Sequence, residues 1–164
     1  GNNAEKYADG DILLLGSDLP HYMKSDEVYR QEGSTLRTTG TIIQFEQNFM
    51  QYSFDYYPQF LQIKILLEES RRGIIFPKQD ATRVGELLSG FLSLSGFHQI
   101  SGLLDLLQEL AVSPQRRTLA SLHYYEKMIL KLLDLKMKTY LWYNLIFLIR
   151  YNYLSSGFFH LIFS

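Results

Sequence analysis

Near the start of the chain, the stretch Gly10-Asp11-Ile12-Leu13-Leu14-Leu15-Gly16-Ser17-Asp18-Leu19-Pro20-His21 combines an apolar run, a turn and a histidine. Its consecutive apolar residues lie between glycines, and such a run is typical of a short strand buried on both faces. The residues Asp18-Leu19-Pro20 have the chemistry of a chain reversal. We therefore predict a strand over Ile12–Leu15 and a following strand in which His21 points inward.

The residues after this stretch show first a β pattern and then helical patterns. β-branched residues concentrated between Leu36 and Phe45 favour another strand. Pro58 begins a helix where its missing N–H costs nothing, and Arg71-Arg72-Gly73 end it with cations and a left-handed cap. A short strand over Ile74–Phe76 comes next. The order predicts an α+β fold with strands first and helices second.

Two amphipathic helices are predicted after Pro77, separated by Gly96 and ended by Ser113-Pro114. Their apolar residues recur at helical spacing, which indicates one buried face on each helix. A third helical pattern begins near Tyr124. The apolar positions are Val84, Leu87, Leu88, Phe91 and Leu92 in the first helix and Ile100, Leu103, Leu104, Leu107 and Leu110 in the second.

The composition limits the classes of function open to this chain. Its 164 residues are 46% hydrophobic and 20% charged, which suits one globular domain with a core. The net charge of −1 argues against nucleic-acid binding through overall charge, because that binding requires clustered Lys and Arg. Without cysteine, disulfides, thiolate zinc sites and thiol catalysis are excluded.

The sequence contains no recognisable motif for catalysis or for a cofactor. The four histidines, His21, His98, His123 and His160, have no ligand-like spacing, so a structural role is favoured for each. No HExxH pair, GxxxxGK(S/T) phosphate loop or GxSxG elbow is found. We therefore expect no catalytic residue, no cofactor, no bound metal and no enzyme activity.

The Gly10–His21 stretch resembles the second conserved motif of the cupin fold, in which a Gly, an apolar strand, a tight turn and a His come one after another. The order of elements beyond His21 is similar to that in the sensor domains of AraC-type transcriptional regulators. The matching pieces are the strand Ile42-Ile43-Gln44-Phe45, a short helix around Asn48-Phe49, the segment from Pro58 to Phe76, and the two amphipathic helices. The resemblance covers about Tyr7 to Ala120.

This resemblance implies a bacterial, cytoplasmic sensor domain that binds a small, sugar-like effector and forms a homo-oligomer. DNA would be contacted only through a separate helix-turn-helix part, and no membrane would be involved. The effector pocket inside the barrel would include Leu13, Leu15 and His21. The subunit contact would lie on the helices, at Leu88, Phe91, Leu92, Leu103 and Leu107.

Two departures from the family pattern affect this interpretation. The first cupin motif, HxH followed by Glu, is missing, and Ser25 stands where the family usually has Asn, so a complete metal site is not expected. Nothing after Ala120 resembles a helix-turn-helix unit. We divide the chain into a partial cupin-type barrel (1–57), a helical appendage (58–122) and a C-terminal helix or tail (123–164), within one structural domain.

A partial barrel raises the question of where its other strands are. Unpaired strand edges are expected, and the other strands are lost from this segment, supplied by another copy or absent in the natural protein. Two alternative functions also stay open. One is a cupin enzyme of the sugar epimerase or isomerase type that lacks its first motif, and the other is a helical protein-interaction module that uses no ligand.

The tail from Met128 onward has a different composition, since Asp134 is its one acidic residue among the seventeen of the chain. Arg150 and Asn152 interrupt its apolar run within the ~20 residues that a membrane-spanning helix needs, so a buried helix, or one that pairs with a partner, is favoured over a membrane anchor. Two origins stay open. The tail is a genuine helix, or it is out-of-frame sequence that follows a frameshift. The buried face of that helix would carry Tyr125, Met128, Ile129 and Leu132.

Overall fold

The computed structural model describes residues 4–17, 19–78, 82–127, 130, 145–153 and 159–163, which form a mixed fold of strands and helices. The strands are β1 (Ala4–Tyr7), β2 (Ile12–Leu15), β3 (His21–Ser25), β4 (Thr38–Glu46), β5 (Ile74–Phe76), β6 (Arg117–Thr118), β7 (Leu145–Tyr153) and β8 (Phe159–Phe163). The helices are α1 (Gln51–Tyr56), α2 (Leu61–Ser70), α3 (Thr82–Phe91) and α4 (Phe97–Ala111), and residues 122–127 are also helical.

The strands form two antiparallel sheets. The larger sheet has five strands in the order β4-β7-β2-β5-β6, and the smaller has three in the order β1-β8-β3. β2 is fully buried, as the run of four apolar residues predicted, and it pairs with β5 on one side and β7 on the other. The prediction of unpaired edges is therefore wrong for β2.

The alternating side chains of the five-stranded sheet contribute to two separate cores. Ile12 and Leu14 of β2 face the helical layer, together with Ile43 and Phe45 of β4. Leu13 and Leu15 face the opposite way and pack with Tyr7 of β1 and with Met23 of β3. The molecule thus has three layers, with the small sheet, the large sheet and the helices stacked in that order.

The described part of the tail contains both helix and strand. Residues 122–127 and 130 are helical, as the pattern beginning near Tyr124 predicted, whereas 145–153 and 159–163 are β-strand where the sequence favoured a buried helix. β7 pairs with β4 along nine residues, from Leu145 opposite Glu46 to Tyr153 opposite Thr38. A short apolar run fits a buried helix and a central strand equally well, and periodicity alone does not separate them. Because β7 and β8 each lie between two other strands, the tail completes both sheets. Strands therefore also follow the helices. The predicted positions Met128, Ile129 and Leu132 lie outside the described residues.

Other predicted elements are confirmed with small shifts. The helix after Pro58 begins as one 3₁₀ turn over Pro58–Phe60 and continues as α2. Gly73 follows in the left-handed region with φ 66°, as a glycine cap should. The short helix expected around Asn48-Phe49 begins later, at Gln51, because the preceding residues form the turn that leaves β4.

Candidate ligand cavity

A cavity of about 850 Å³ opens where the ends of β2 and β4 meet the C-terminal end of α2. A volume of this order is typical of small-molecule pockets in proteins. Its wall combines charged, amide, hydroxyl and apolar groups, and the apolar ones are Phe54, Leu67 and Ile146. The charged side chains that line it are Glu46, Asp55, Lys64, Glu68 and Arg71.

Gly16 brings the end of α2 against the end of β2. Its N–H donates a hydrogen bond to the carbonyl of Ser70 over 2.8 Å, and the N–H of Gly73 donates to the same oxygen at 2.8 Å. A Cβ on Gly16 would lie 2.7 Å from backbone atoms of Ser70 and Arg71, closer than real Cβ atoms approach. Only glycine fits there, and its close contact places Ser70 and Arg71 at the cavity wall.

The opposite wall is formed by the turn from β4 into α1. Met50 adopts the left-handed conformation with φ 51°, which turns the chain into the helix. Ser17, which is buried, donates from Oγ to Oε1 of Gln47 over 2.7 Å and so ties this turn to the end of β2. Phe54 meets Phe60 edge to face at a centroid distance of 5.3 Å, which attaches α1 to the start of α2.

One ion pair stands at the cavity. Nζ of Lys64 donates to Oδ1 of Asp55 over 2.7 Å, and both side chains remain close to half exposed. The hydrogen bond to Asp55, followed by the charge of the same carboxylate, raises the pKa of Lys64 above its ordinary value of 10.5. Glu68 adds a smaller increase in that pKa, and desolvation lowers it. The ammonium of Lys64 is therefore charged and already neutralised at neutral pH.

Arg71 is the second cation of the cavity and has a different environment. Its guanidinium carbon lies 5.7 Å from the centroid of the Tyr125 ring, a distance within the range of a cation–π contact. Its Nε is buried, and among the described residues no atom accepts a hydrogen bond from it. A buried donor without an acceptor is costly. Because Arg71 also lines the cavity, a ligand bound there can reach this side chain.

The residues predicted to bind an effector lie away from this cavity. Leu13 and Leu15 are packed between the two sheets. His21 is half-buried, and its Nδ1 is 2.8 Å from the carbonyl of Leu19. The structure brings the two leucines together and places His21 at the start of the next strand, but none of the three is among the lining residues of the cavity.

The residues predicted for the subunit contact divide into two groups. Leu88, Leu103 and Leu107 are 1%, 6% and 0% exposed, so they belong to the core of this chain and the prediction that they contact another subunit is wrong. Phe91 is half-buried against the same core. Leu92 is 77% exposed and remains available to a partner. The amphipathic pattern identified a buried face but could not say whether the chain itself or a partner covers it.

The sequence did not indicate the charged side chains of the cavity. Glu68 looks like a solvated charge beside Glu69, and Arg71 like a cation that ends a helix. Gly16 and Gly73 marked the chain ends that meet here, but their contact joins residues far apart in sequence. No local pattern encodes such a contact.

The part of the chain that the structure describes contains neither a cluster of metal ligands nor a membrane-spanning helix. There, no three acidic or histidine side chains come together in a way that could hold a metal ion. None of the helices found there has the length and apolar character required to cross a bilayer.

Comparisons with protein-family models, curated proteins and solved structures give no match to this chain. The function is therefore argued from the cavity and the helical layer beside it.

Proposed function

We propose that this chain is the effector-sensing and dimerisation domain of a bacterial AraC-type transcriptional regulator, built on part of a cupin-type barrel. In this proposal a small molecule occupies the cavity, a second copy covers the helices, and DNA is bound by a separate helix-turn-helix part. The observation that carries the proposal is the position of α2, which lines the cavity with one side and packs against α4 with the other.

The two sides of α2 differ in chemistry. Lys64 and Glu68 line the cavity, whereas Ile63 and Leu66 are buried in the core that also contains Leu107 of α4. Close packing transmits displacements because the interior contains few voids that could absorb them. A ligand that shifts the end of α2 would therefore also shift α4.

A polar contact joins the same two helices. Nε of Arg116 lies 3.0 Å from Oε2 of Glu69 in α2, and the guanidinium of Arg116 also donates to the carbonyl of Ala111, the last residue of α4. Arg116 thus connects α2, which lines the cavity, to the C-terminal end of α4.

The turn between α3 and α4 supports the dimerisation part of the proposal. Leu92, Phe97 and Ile100 are 77%, 75% and 45% exposed, so large apolar side chains of the turn and of the start of α4 face solvent there. Exposed apolar patches commonly mark interfaces between chains, and homodimers with two-fold symmetry are the commonest soluble assemblies. A second copy that presents the same turn would cover these residues.

A thermal-shift screen of small metabolites tests the sensing part. At about 100 times its dissociation constant, a ligand adds about 2.7 kcal/mol to the free energy of unfolding, and Tm rises by roughly 5 to 10 °C for a domain of this size. Gln51→Trp places a large ring at the cavity wall, and Gln59→Trp is the matched control on an exposed residue outside it.

We expect at least one metabolite to raise Tm in the wild type and in Gln59→Trp but not in Gln51→Trp. No stabilising metabolite, or a stabilisation that survives Gln51→Trp, would overturn the sensing part of the proposal. Dimerisation without a response to any metabolite would favour a helical interaction module instead.

A further inference from the structure

We infer that the cavity binds a small zwitterion, either a free amino acid or a short peptide, with its carboxylate at Arg71 and its ammonium at Glu46 and Glu68. This inference rests on the proposed function, because it names the chemical class of the effector for the same cavity.

The charges of the wall set the first requirement on a ligand. Three carboxylates and two cations line the cavity, and Lys64 and Asp55 neutralise each other at 2.7 Å. The other charged side chains of the wall are the cation Arg71 and the carboxylates Glu46 and Glu68. None of these three forms an ion pair within the described part of the chain. A zwitterion would pair with both signs of charge on the wall, whereas a ligand with only one sign would leave the other to water.

The environment of Arg71 favours binding of a carboxylate by its guanidinium. Contact with the Tyr125 ring limits the freedom of its guanidinium, and the buried Nε has no acceptor among the described residues. Guanidinium and carboxylate form two parallel hydrogen bonds, so a carboxylate can occupy two donors of this group at once. A neutral hydroxyl would leave the charge of Arg71 uncompensated.

Glu46 and Glu68 supply the opposite charge at the same cavity. Glu46 is the last residue of β4, and Glu68 lies one helical turn before Arg71 in α2. An ammonium carries three donors, which two carboxylates can share. Phe54, Leu67 and Ile146 add an apolar area for the side chain of the ligand. At about 850 Å³ the cavity has room for a single amino acid and for a short peptide.

Isothermal titration calorimetry with matched probes tests the inference. The probes are the common L-amino acids, di- and tripeptides made from them, the carboxylic acids and amines that keep only one of the two charged groups, and neutral sugars. We expect binding by a zwitterion and a loss of about tenfold or more in affinity when either charged group is missing, because a hydrogen bond to a charged group is worth at least that factor. Separate titrations with amino acids and with peptides show which of these two classes of zwitterion binds more tightly.

Variants that neutralise single side chains test which wall residues bind the carboxylate and which bind the ammonium of the ligand. Arg71→Gln should weaken binding of the zwitterion by about tenfold or more while binding of the matched amine is unchanged. Glu46→Gln and Glu68→Gln should weaken the zwitterion but not the matched carboxylic acid, and both replace exposed side chains, so folding is preserved. Arg83→Gln, on exposed α3 surface outside the cavity, is the control and should bind as the wild type does.

Different results would overturn the zwitterion assignment and the sensing function. Tight binding of a neutral sugar or of a simple carboxylate, abolished by Gln51→Trp, would overturn the zwitterion assignment and leave the sensing function standing. Binding of a zwitterion that is unaffected by Arg71→Gln, Glu46→Gln and Glu68→Gln would overturn the assignment of the ends. If no probe binds and no metabolite stabilises the chain, both are overturned.

Discussion

Single residues fix the geometry of the cavity, and Gly16 does so by lacking a side chain. The sequence indicated the glycines that bound β2, because they interrupt an apolar run. It could not indicate that Gly16 touches the backbone of Ser70, since that contact exists only once α2 has packed on the sheet. The same holds for Arg71, whose environment depends on Tyr125, more than fifty residues away.

Gly16→Ala should lower the free energy of unfolding by about 1 to 3 kcal/mol, because its Cβ meets backbone atoms that cannot yield without moving α2. Urea denaturation at neutral pH measures the change. Gly90→Ala is the control, since nothing lies near its Cβ in α3 and it should gain about 0.5 to 1 kcal/mol. Equal effects of the two substitutions would show that the approach of α2 to β2 is not tight.

The pair of Lys64 and Asp55 gives a prediction about pH. The pKa of Lys64 is raised in the folded chain, first by the hydrogen bond to Asp55, so the pair stabilises the fold below the unfolded pKa. That contribution is lost as the pH rises through the folded pKa. The free energy of unfolding should therefore be slightly lower in Lys64→Gln than in the wild type at neutral pH, and the difference should fade as the pH rises above 10.5 and through the folded pKa. Urea denaturation of both proteins across this range measures it. A difference that stays constant with pH would contradict the assignment to this pair.

At the scale of elements, the sequence predicted the helices correctly but did not predict which of their apolar residues are buried and which are exposed. The apolar spacing correctly indicated α3 and α4, and their shared face forms the core with the large sheet. Leu88 and Leu92 lie four residues apart and look equivalent in sequence. In the structure α3 ends at Phe91, so Leu92 leaves the helical face and is exposed.

Leu107→Ala and Leu92→Glu should therefore have opposite signatures. The first removes a fully buried side chain and should cost about 2 to 5 kcal/mol of unfolding free energy. The second should change that free energy by no more than about 0.5 kcal/mol and should weaken self-association. Denaturation and sedimentation velocity on the same samples measure both quantities. Loss of stability without loss of association in Leu92→Glu would place this residue in the core.

At the scale of the whole molecule, the tail closes both sheets. Its composition separated it from the rest of the sequence, but its pairing could not be predicted, because the partners of β7 lie about a hundred or more residues earlier. Ile146 and Leu148 are buried against the helices, and Ile149 is buried on the other face. A strand with these contacts belongs to the centre of the fold.

A chain that ends at Lys127 lacks an interior strand of each sheet and should not fold cooperatively. We expect it to lose the sigmoidal thermal transition in circular dichroism and to aggregate, because β2 and β4 would be left with open edges. The full chain is the control. Cooperative unfolding of the shortened chain near the Tm of the full chain would mean that the tail adds nothing, as expected of out-of-frame sequence.

We propose that α2 couples ligand binding in the cavity to the contact between two copies of the chain. The most direct test is the dissociation constant of the dimer, measured by sedimentation equilibrium with and without a saturating concentration of the ligand identified by calorimetry. We predict a dimer whose dissociation constant changes by about 5-fold or more when the ligand binds, in either direction. The changes in ligand affinity at the two sites on dimerisation, multiplied together, should equal that factor. A monomer at micromolar concentration, or the same dissociation constant under both conditions, would contradict the account.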